Sequence, residues 1–299
     1  MQNNFKESII KTLSYSDVFD YPLNKSEVYK YYIGERTEEE KVYFMLEEMA
    51  KEGVISKKDD FYFLNGRQNL VLLRKERESI SFKKWTLAKK IAKILGLIPT
   101  IKLIGISGSL SMNNCELRDD VDLFIITKAG SLWSTRFLVS ILLILLGKKR
   151  SRNDSFGINM VCPNMFLSEN SLGIKQNIFT AHEISQLKTI VSKNGTYEKF
   201  INENAWVLNF MPNAFKVGLA SGKSENHSFN FLDNIFYKIQ YFYMKKRITT
   251  EKISREFALF HPKDKTAFAT ELYETKFTSY TAYLSTFDQD LEYDHSGVH

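Results

Sequence analysis

Cysteine is nearly absent from this 299-residue chain, which has only Cys115 and Cys162. That excludes a disulfide framework and a cysteine-based zinc site. Long apolar runs are equally scarce. The longest, Phe137 to Leu146, lies between Arg136 and Lys148-Lys149-Arg150. It falls far short of the roughly 20 residues needed to cross a bilayer and is expected as a buried helix. The opening residues, MQNNFKESIIKTL, lack the apolar h-region of a secretory leader. No internal repeat or low-complexity tract is present. The expectation is a soluble chain in the reducing cytoplasm, with no membrane partner.

The material for a core is ample. Hydrophobic residues make up 43% and charged residues 25%, a globular balance, and the length suits two or three domains. The net charge of +6 is compatible with partners that carry phosphate.

Residues 1–66 read as one unit. A first helix runs from about Phe5 to Phe19 and is stopped by Tyr21-Pro22. A second, LNKSEVYKYYIG, ends at Gly34. A third opens at Thr37, where Thr37 and Glu40 have capping-box spacing, and closes at Gly53. On it Val42, Met45, Leu46 and Met49 repeat at helical spacing. VISKKDDFYFL then gives two short strands around Lys57-Lys58-Asp59-Asp60. Three helices followed by a hairpin is a winged-helix pattern. Winged helices often bind DNA through the third helix. Here that helix carries Glu38, Glu39, Glu40, Glu47, Glu48 and Glu52 against Lys41 and Lys51, and phosphates repel such a surface. The unit is therefore expected to pack against the core or contact protein, not to bind duplex DNA. The basic stretch after the unit is the natural intramolecular partner of that acidic helix. That stretch, residues 67–98, is a helical connector with Arg74, Lys75, Arg77, Lys83, Lys84, Lys89, Lys90 and Lys93. It reads as a solvated face, or as a positive surface beside an active site.

Pro99 opens a different region, residues 99–170. IKLIGIS reads as a strand and turn, and VDLFIIT, Val121 to Thr127, as a second strand. LWSTRFLVSILLILLG follows as a helix. INMVCPNMFL, Ile158 to Leu167, reads as a third strand, broken or bulged near Pro163. Residues 171–299 read as helices, with a polar loop over Gly218 to Ser228. The expected fold class is α+β: a small mixed sheet flanked by helices, between a winged-helix-like domain and a C-terminal helical domain.

The chemistry-bearing stretch is GSLSMNNCELRDDVDLFIIT, Gly108 to Thr127. Asp120 and Asp122 flank Val121 at a strand start, and side chains two apart on a strand share a face. Paired carboxylates there repel each other unless a cation lies between them, and a hard cation seeks such oxygens together with substrate phosphates. Gly108-Ser109 occupies the turn after the preceding strand. Glycine allows close backbone approach to a phosphate, which the hydroxyl and free N–H groups can bond.

At these residues the chain resembles the polymerase-β-type nucleotidyltransferase superfamily, and within it the minimal nucleotidyltransferases. Their motif is Gly-Ser, a short helix, then Asp-x-Asp at the next strand start, followed by an apolar residue, here Leu123. The whole chain also looks like a group of bacterial proteins with a winged-helix-like front, this core and a helical tail. The resemblance implies transfer of a nucleoside monophosphate from an NTP to an acceptor: RNA, protein or small molecule. It implies Mg²⁺ or Mn²⁺ held by Asp120 and Asp122, and nucleotide held by Gly108, Ser109, Arg136 and Asn164.

Two departures stand out. Met112-Asn113 replaces the Arg-Gly usual in minimal members. The third strand also lacks the superfamily's third carboxylate. It offers Asn159 and Asn164, with Asp154 and Glu169 just outside it and Glu183 further on as a substitute. An amide ligates a metal through oxygen but is no base near pH 7. The alternative reading is thus a catalytically inactive core that binds nucleotide, protein or nucleic acid. Elsewhere, His182 reads as a core-edge histidine and His261 as a helix-end residue. Phe236, Tyr237, Tyr241, Phe242 and Tyr243 read as the packed side of a helix.

Overall fold

A computed structural model describes residues 2–151, 156–218, 230–246, 248–249, 251–260 and 265–296, with backbone only at 2, 265 and 286–296. Asp154, His261 and the Gly218–Ser228 loop beyond Gly218 lie outside the described residues. The fold mixes α and β, with one antiparallel and one mixed sheet.

The first 66 residues run α1 (Gln2–Asp17), β1 (Leu23–Asn24), α2 (Lys25–Lys30), α3 (Glu39–Lys51), β2 (Ser56–Lys58) and β3 (Phe61–Phe63). The strands pair antiparallel in the order β1-β3-β2. Val42, Met45, Leu46 and Met49 are buried, as their spacing predicts. The helix starts differ from expectation. The Thr37–Glu40 box does not form, because α3 begins at Glu39 after Glu38 and has no side-chain cap. Glu39 and Glu40 favour that start by lying at the positive end of the helix dipole. A capping box forms instead at α2, where Asn24 Oδ1 accepts from Glu27 N and Glu27 Oε2 accepts from Asn24 N.

The acidic third helix does not pair with the basic connector. Its glutamates meet lysines of their own unit: Glu47 with Lys25 and Lys57, Glu52 with Lys6, Glu48 with Lys51. The connector is α4 (Leu70–Leu95), and several of its cations turn inward instead of forming one solvated face. Arg74 is only 3% exposed. It donates to Glu27 Oε1 (2.9 Å), Glu78 Oε1 (2.6 Å) and Pro22 O (3.1 Å), and lies 3.8 Å from the Tyr21 ring centroid. Lys84 is buried and donates to the Leu117 and Asp119 carbonyls. Lys83, Lys89, Lys90 and Lys93 do remain exposed.

The larger sheet has the order β7-β4-β5-β6-β9-β8. Its strands are β4 (Ile101–Ile106), β5 (Val121–Thr127), β6 (Val161–Ser168), β7 (Lys188–Ser192), β8 (Lys252–Ile253) and β9 (Phe257–Leu259). Between β4 and β5 lies the one-turn α5 (Gly108–Ser111), and between β5 and β6 lies α6 (Leu132–Leu145). That crossover makes β5–β6 the parallel pair, whereas the other pairs are antiparallel. The bulge expected near Pro163 is present: Leu123 faces Pro163, Phe124 faces Met165, and Asn164 is the extra residue.

Residues 171–299 are not all helical. They hold α7 (Ile178–Gln186), α8 (Thr196–Glu203), α9 (Phe231–Met244) and α10 (Lys265–Ser296), but also supply three of the six sheet strands. The β-branched Thr189 and Val191 pair along the open edge of β4, with Ile190 the extra residue at a register shift between them, which a helix-period reading of the segment hides. A boundary at residue 170 therefore cuts through the sheet. Residues of α10 return to the first unit: the Tyr280 hydroxyl donates to Val54 O (2.6 Å) and accepts from Asn65 N (3.1 Å).

Helix α6 is not the buried helix its composition suggests. Leu132, Trp133, Thr135, Val139 and Leu143 pack inward, while Phe137, Leu138, Ile141, Ile144 and Leu145 face outward. The aromatic run on α9 is likewise divided. Phe236 and Tyr237 pack, whereas Tyr241, Phe242 and Tyr243 are exposed. No helix among the described residues is long and apolar enough to cross a membrane.

Removing one partner of a buried ion pair costs about 3–5 kcal/mol, because the other charge stays behind. Arg74→Met should therefore lower stability by about 3 kcal/mol in urea denaturation, and adding Glu27→Gln should restore part of it.

Candidate active site

Strand β4 runs into Ser107 and the turn at Gly108, beside the start of the antiparallel β5. Gly108 has φ +62, a conformation that glycine adopts without penalty. A Cβ there would lie 2.7 Å from Asp122 Oδ2, so the Gly108 backbone rests against that carboxylate. The two halves of the sequence motif thus meet in space. Ser109 is the next residue, and its hydroxyl donates to Asp119 Oδ2 (3.0 Å). Asn113 stands in the left-handed region (φ +56), which asparagine tolerates. Met112 O accepts from the Tyr21 hydroxyl (2.6 Å), so the loop leaving α5 is tied to the first unit.

Asp120 and Asp122 share the β5 face, and Cys162 lies opposite Asp122 in the parallel register. One ligand atom from each of Asp120, Asp122 and Cys162 falls within 4.8 Å of the others. The bulge brings Asn164, which is buried, to Asp122, and its Nδ2 donates to Asp122 Oδ1 (3.1 Å). Asp120 Oδ2 is 2.8 Å from Arg150 Nη1, a contact whose angle leaves the oxygen without an aligned hydrogen bond. Two carboxylates and a thiol make a donor set that could hold a divalent cation, with the Asn164 amide N–H group on one carboxylate and a guanidinium now beside the other. Burial and then the charges of Asp122 and Asp120 push the Cys162 thiol far above its usual range, so without a cation it is neutral.

Gly157, Cys162, Lys149 and Arg150 escape a motif reading. A Cβ on Gly157 would lie 2.6 Å from both the backbone N and the Cβ of Asp120, so the glycine is a seat for that aspartate. Lys149 and Arg150 arrive because the chain after α6 runs alongside β6: Lys149 bridges to Val161, and Arg150 N donates to Val161 O. The clue in the sequence was their place after a helix that must cross back over the sheet.

Arg136 points into the α6–α9 junction. It donates to Gln240 Oε1 and Met244 Sδ and lies over the Phe260 ring. Burial lowers its pKa to about 10, and burial with the field of Arg136 lowers that of Lys149, so two cations crowd near Cys162.

The other carboxylate candidates fall elsewhere. Glu169 N bonds Thr127 O at the far end of β5, which places Glu169 away from Asp120. Asn159 is an exposed turn residue with φ +55. Glu183 is outside the donor cluster but lines a cavity of about 150 Å³ together with Gly108, Ser109 and Tyr21. A second cavity of about 320 Å³ shares Phe179 and Glu183 with the first. It runs along the Asp122 face of the sheet past Phe124 and Met165, with Lys175 and Lys252 in its wall.

His182 is a core residue, packed against Tyr15, Phe19 and Tyr31 with ring centroids 4.7–6.5 Å apart. Its Nε2 is buried without a hydrogen bond. Burial, then Lys30, lowers its pKa to about 3.

Comparison of the chain with protein-family models, curated proteins and solved structures finds no match.

Two tests follow from this geometry. Gly157→Ala removes no charged or ligating group but presses on Asp120, and should weaken divalent-cation binding about tenfold by calorimetry with an unchanged circular dichroism spectrum. For His182 the neutral ring is favoured in the fold. Between about pH 6.5 and about pH 3 the unfolded chain takes up a proton that the folded one refuses, so this contribution is lost as pH falls. His182→Phe should show a smaller drop in Tm from pH 7 to pH 4 than the parent.

Proposed function

We propose that the chain is a metal-dependent nucleotidyltransferase: an acceptor hydroxyl attacks the α-phosphorus of an NTP in line, the bond to the β-phosphate breaks, and pyrophosphate leaves as the nucleoside monophosphate joins the acceptor. The observation that carries this reading is the contact of the Gly108 turn with Asp122, which joins a phosphate-gripping backbone to a carboxylate pair. Mg²⁺ or Mn²⁺, when held by Asp120 and Asp122, supplies charge stabilisation on the phosphate oxygens. The chain's own residues do the rest. Gly108 admits a phosphate against the backbone, and the Ser109 hydroxyl rotates from Asp119 to bond it. Arg136 and Lys149 add positive charge for the phosphates. Arg150, paired with Asp120 here, would be free to bond a phosphate were a cation to neutralise that carboxylate. Glu183, in the cleft with Gly108 and Ser109, accepts the proton of the attacking hydroxyl. The acceptor is RNA, protein or a small molecule. The first 66 residues form a winged-helix-like unit that closes the Gly108–Ser109 cleft through Tyr21 and Phe19.

One observation favours a second reading, a nucleotide-binding protein without transfer. The donors beside the two aspartates are a thiol and an amide, and neither is a proton acceptor in place of a third carboxylate.

Titration with ATP, CTP, GTP and UTP should show Mg²⁺- or Mn²⁺-dependent binding, weakened at least about tenfold by Asp120→Ala or Asp122→Ala. Equal binding by all three proteins removes the site. Mass spectrometry of cell extract incubated with protein and labelled NTP then separates the two readings. Nucleotidylated products that disappear with Glu183→Gln support transfer, and metal-dependent binding with no labelled product supports the second reading. Duplex DNA should not bind through α3, so in mobility shifts at low and high salt Lys41→Ala and Lys51→Ala should change nothing.

A further inference from the structure

Helices α6 and α9 lie side by side. Phe137 packs on Phe236 (centroids 4.9 Å), Trp133 on Tyr237 (5.1 Å), and Gln240 Nε2 donates to Trp133 O (2.8 Å). Each helix turns an apolar stripe outward. On α6 it is Phe137, Ile141, Ile144 and Leu145, three or four residues apart and so on one side. On α9 it is Phe231, Ile235, Ile239 and Phe242, with the same spacing. Leu145 is 76% exposed and Phe242 72%. Phe137 of the first stripe packs on Phe236, the residue next to Ile235 of the second, which brings the two stripes alongside each other. A contiguous apolar face of two helices marks an interaction surface, whereas scattered exposed leucines do not.

The exposed charges on and just after the two helices have one sign. Helix α6 contains no Asp or Glu, and α9 contains only Asp233. Asp233 is buried and accepts from both Ser134 N and Ser134 Oγ at 2.7 Å. Lys238, Lys245 and Lys246 on and just after α9 are exposed, and Lys148 follows α6. Lys245 Nζ lies 5.6 Å from the Phe242 ring centroid, so the basic rim adjoins the apolar stripe. A second copy of the chain laid on this face would bring lysine against lysine. An anionic lipid surface meets both parts: acyl chains for the Leu, Ile and Phe side chains, headgroup phosphates for the lysines.

We propose that the α6–α9 face docks the protein onto an anionic membrane surface, with the helices lying in the interface and not crossing it. The proposal is independent of the nucleotidyl-transfer reading. The test is flotation of the full chain with vesicles of phosphatidylcholine alone or mixed with phosphatidylglycerol. The parent should float with the mixed vesicles, less at high salt, and weakly with phosphatidylcholine. Leu145→Glu and Ile239→Glu, both at exposed positions, should abolish flotation with an unchanged circular dichroism spectrum. Lys245→Glu and Lys246→Glu should each weaken binding to the mixed vesicles at least about fivefold and leave binding to phosphatidylcholine unchanged. Absence of flotation with mixed vesicles overturns the proposal. So does a dimer in sedimentation that Leu145→Glu dissociates while vesicle binding is absent, an outcome that assigns the face to a second copy.

Discussion

Arg74 is the joint on which the arrangement depends. A guanidinium buried this deeply is tolerated only if its charge and donors are met, and the partners come from different parts of the chain. Glu27 belongs to α2, Pro22 to the link before it, and Glu78 to the connector itself. Tyr21 lies under the guanidinium and also bonds Glu27 and Met112, the residue that follows α5. One side chain therefore fixes the first unit, the connector and the Gly108 loop relative to one another. The cleft that holds Gly108, Ser109 and Glu183 includes Tyr21 in its wall, so this joint shapes the cleft as well.

At the site, backbone geometry and charge constrain each other. Gly108 and Gly157 leave no side chain where Asp122 and Asp120 must come close, so the carboxylates are positioned by what is missing beside them. Their charges are then balanced unevenly. Asp120 meets Arg150, Asp122 receives the Asn164 amide, and Cys162 stays a neutral thiol under their combined field. Across Cys162, Arg136 and Lys149 carry charge that burial disfavours.

Local pattern was enough for much of this. The periodicity of α3, the apolar runs of β4 and β5, the bulge at Pro163 and the Gly108–Asp122 spacing are all legible along the chain, because each depends on neighbours within a few residues. The Asp-x-Asp pair shares a face simply because a strand has period two. Short strands that complete an existing edge are a different matter. β7 and β9 have little pattern of their own and become strands because β4 and β6 offer unpaired backbone groups.

By itself, then, the sequence determined the two carboxylates, the Gly108 turn and the main helices and strands, since short-range sterics and periodicity specify them. Tertiary structure alone decided which long-range partners they would meet. It buried Arg74 and Lys84, which composition had left in solvent, and exposed one side of α6, which composition had buried. Hydrophobic content says that a helix has an apolar face to cover, and only the packing of its neighbours says which side is covered. It placed Cys162 and Arg150 at the aspartates and Glu169 at the far end of the sheet, because strand order and register, not distance along the chain, set which side chains stand together.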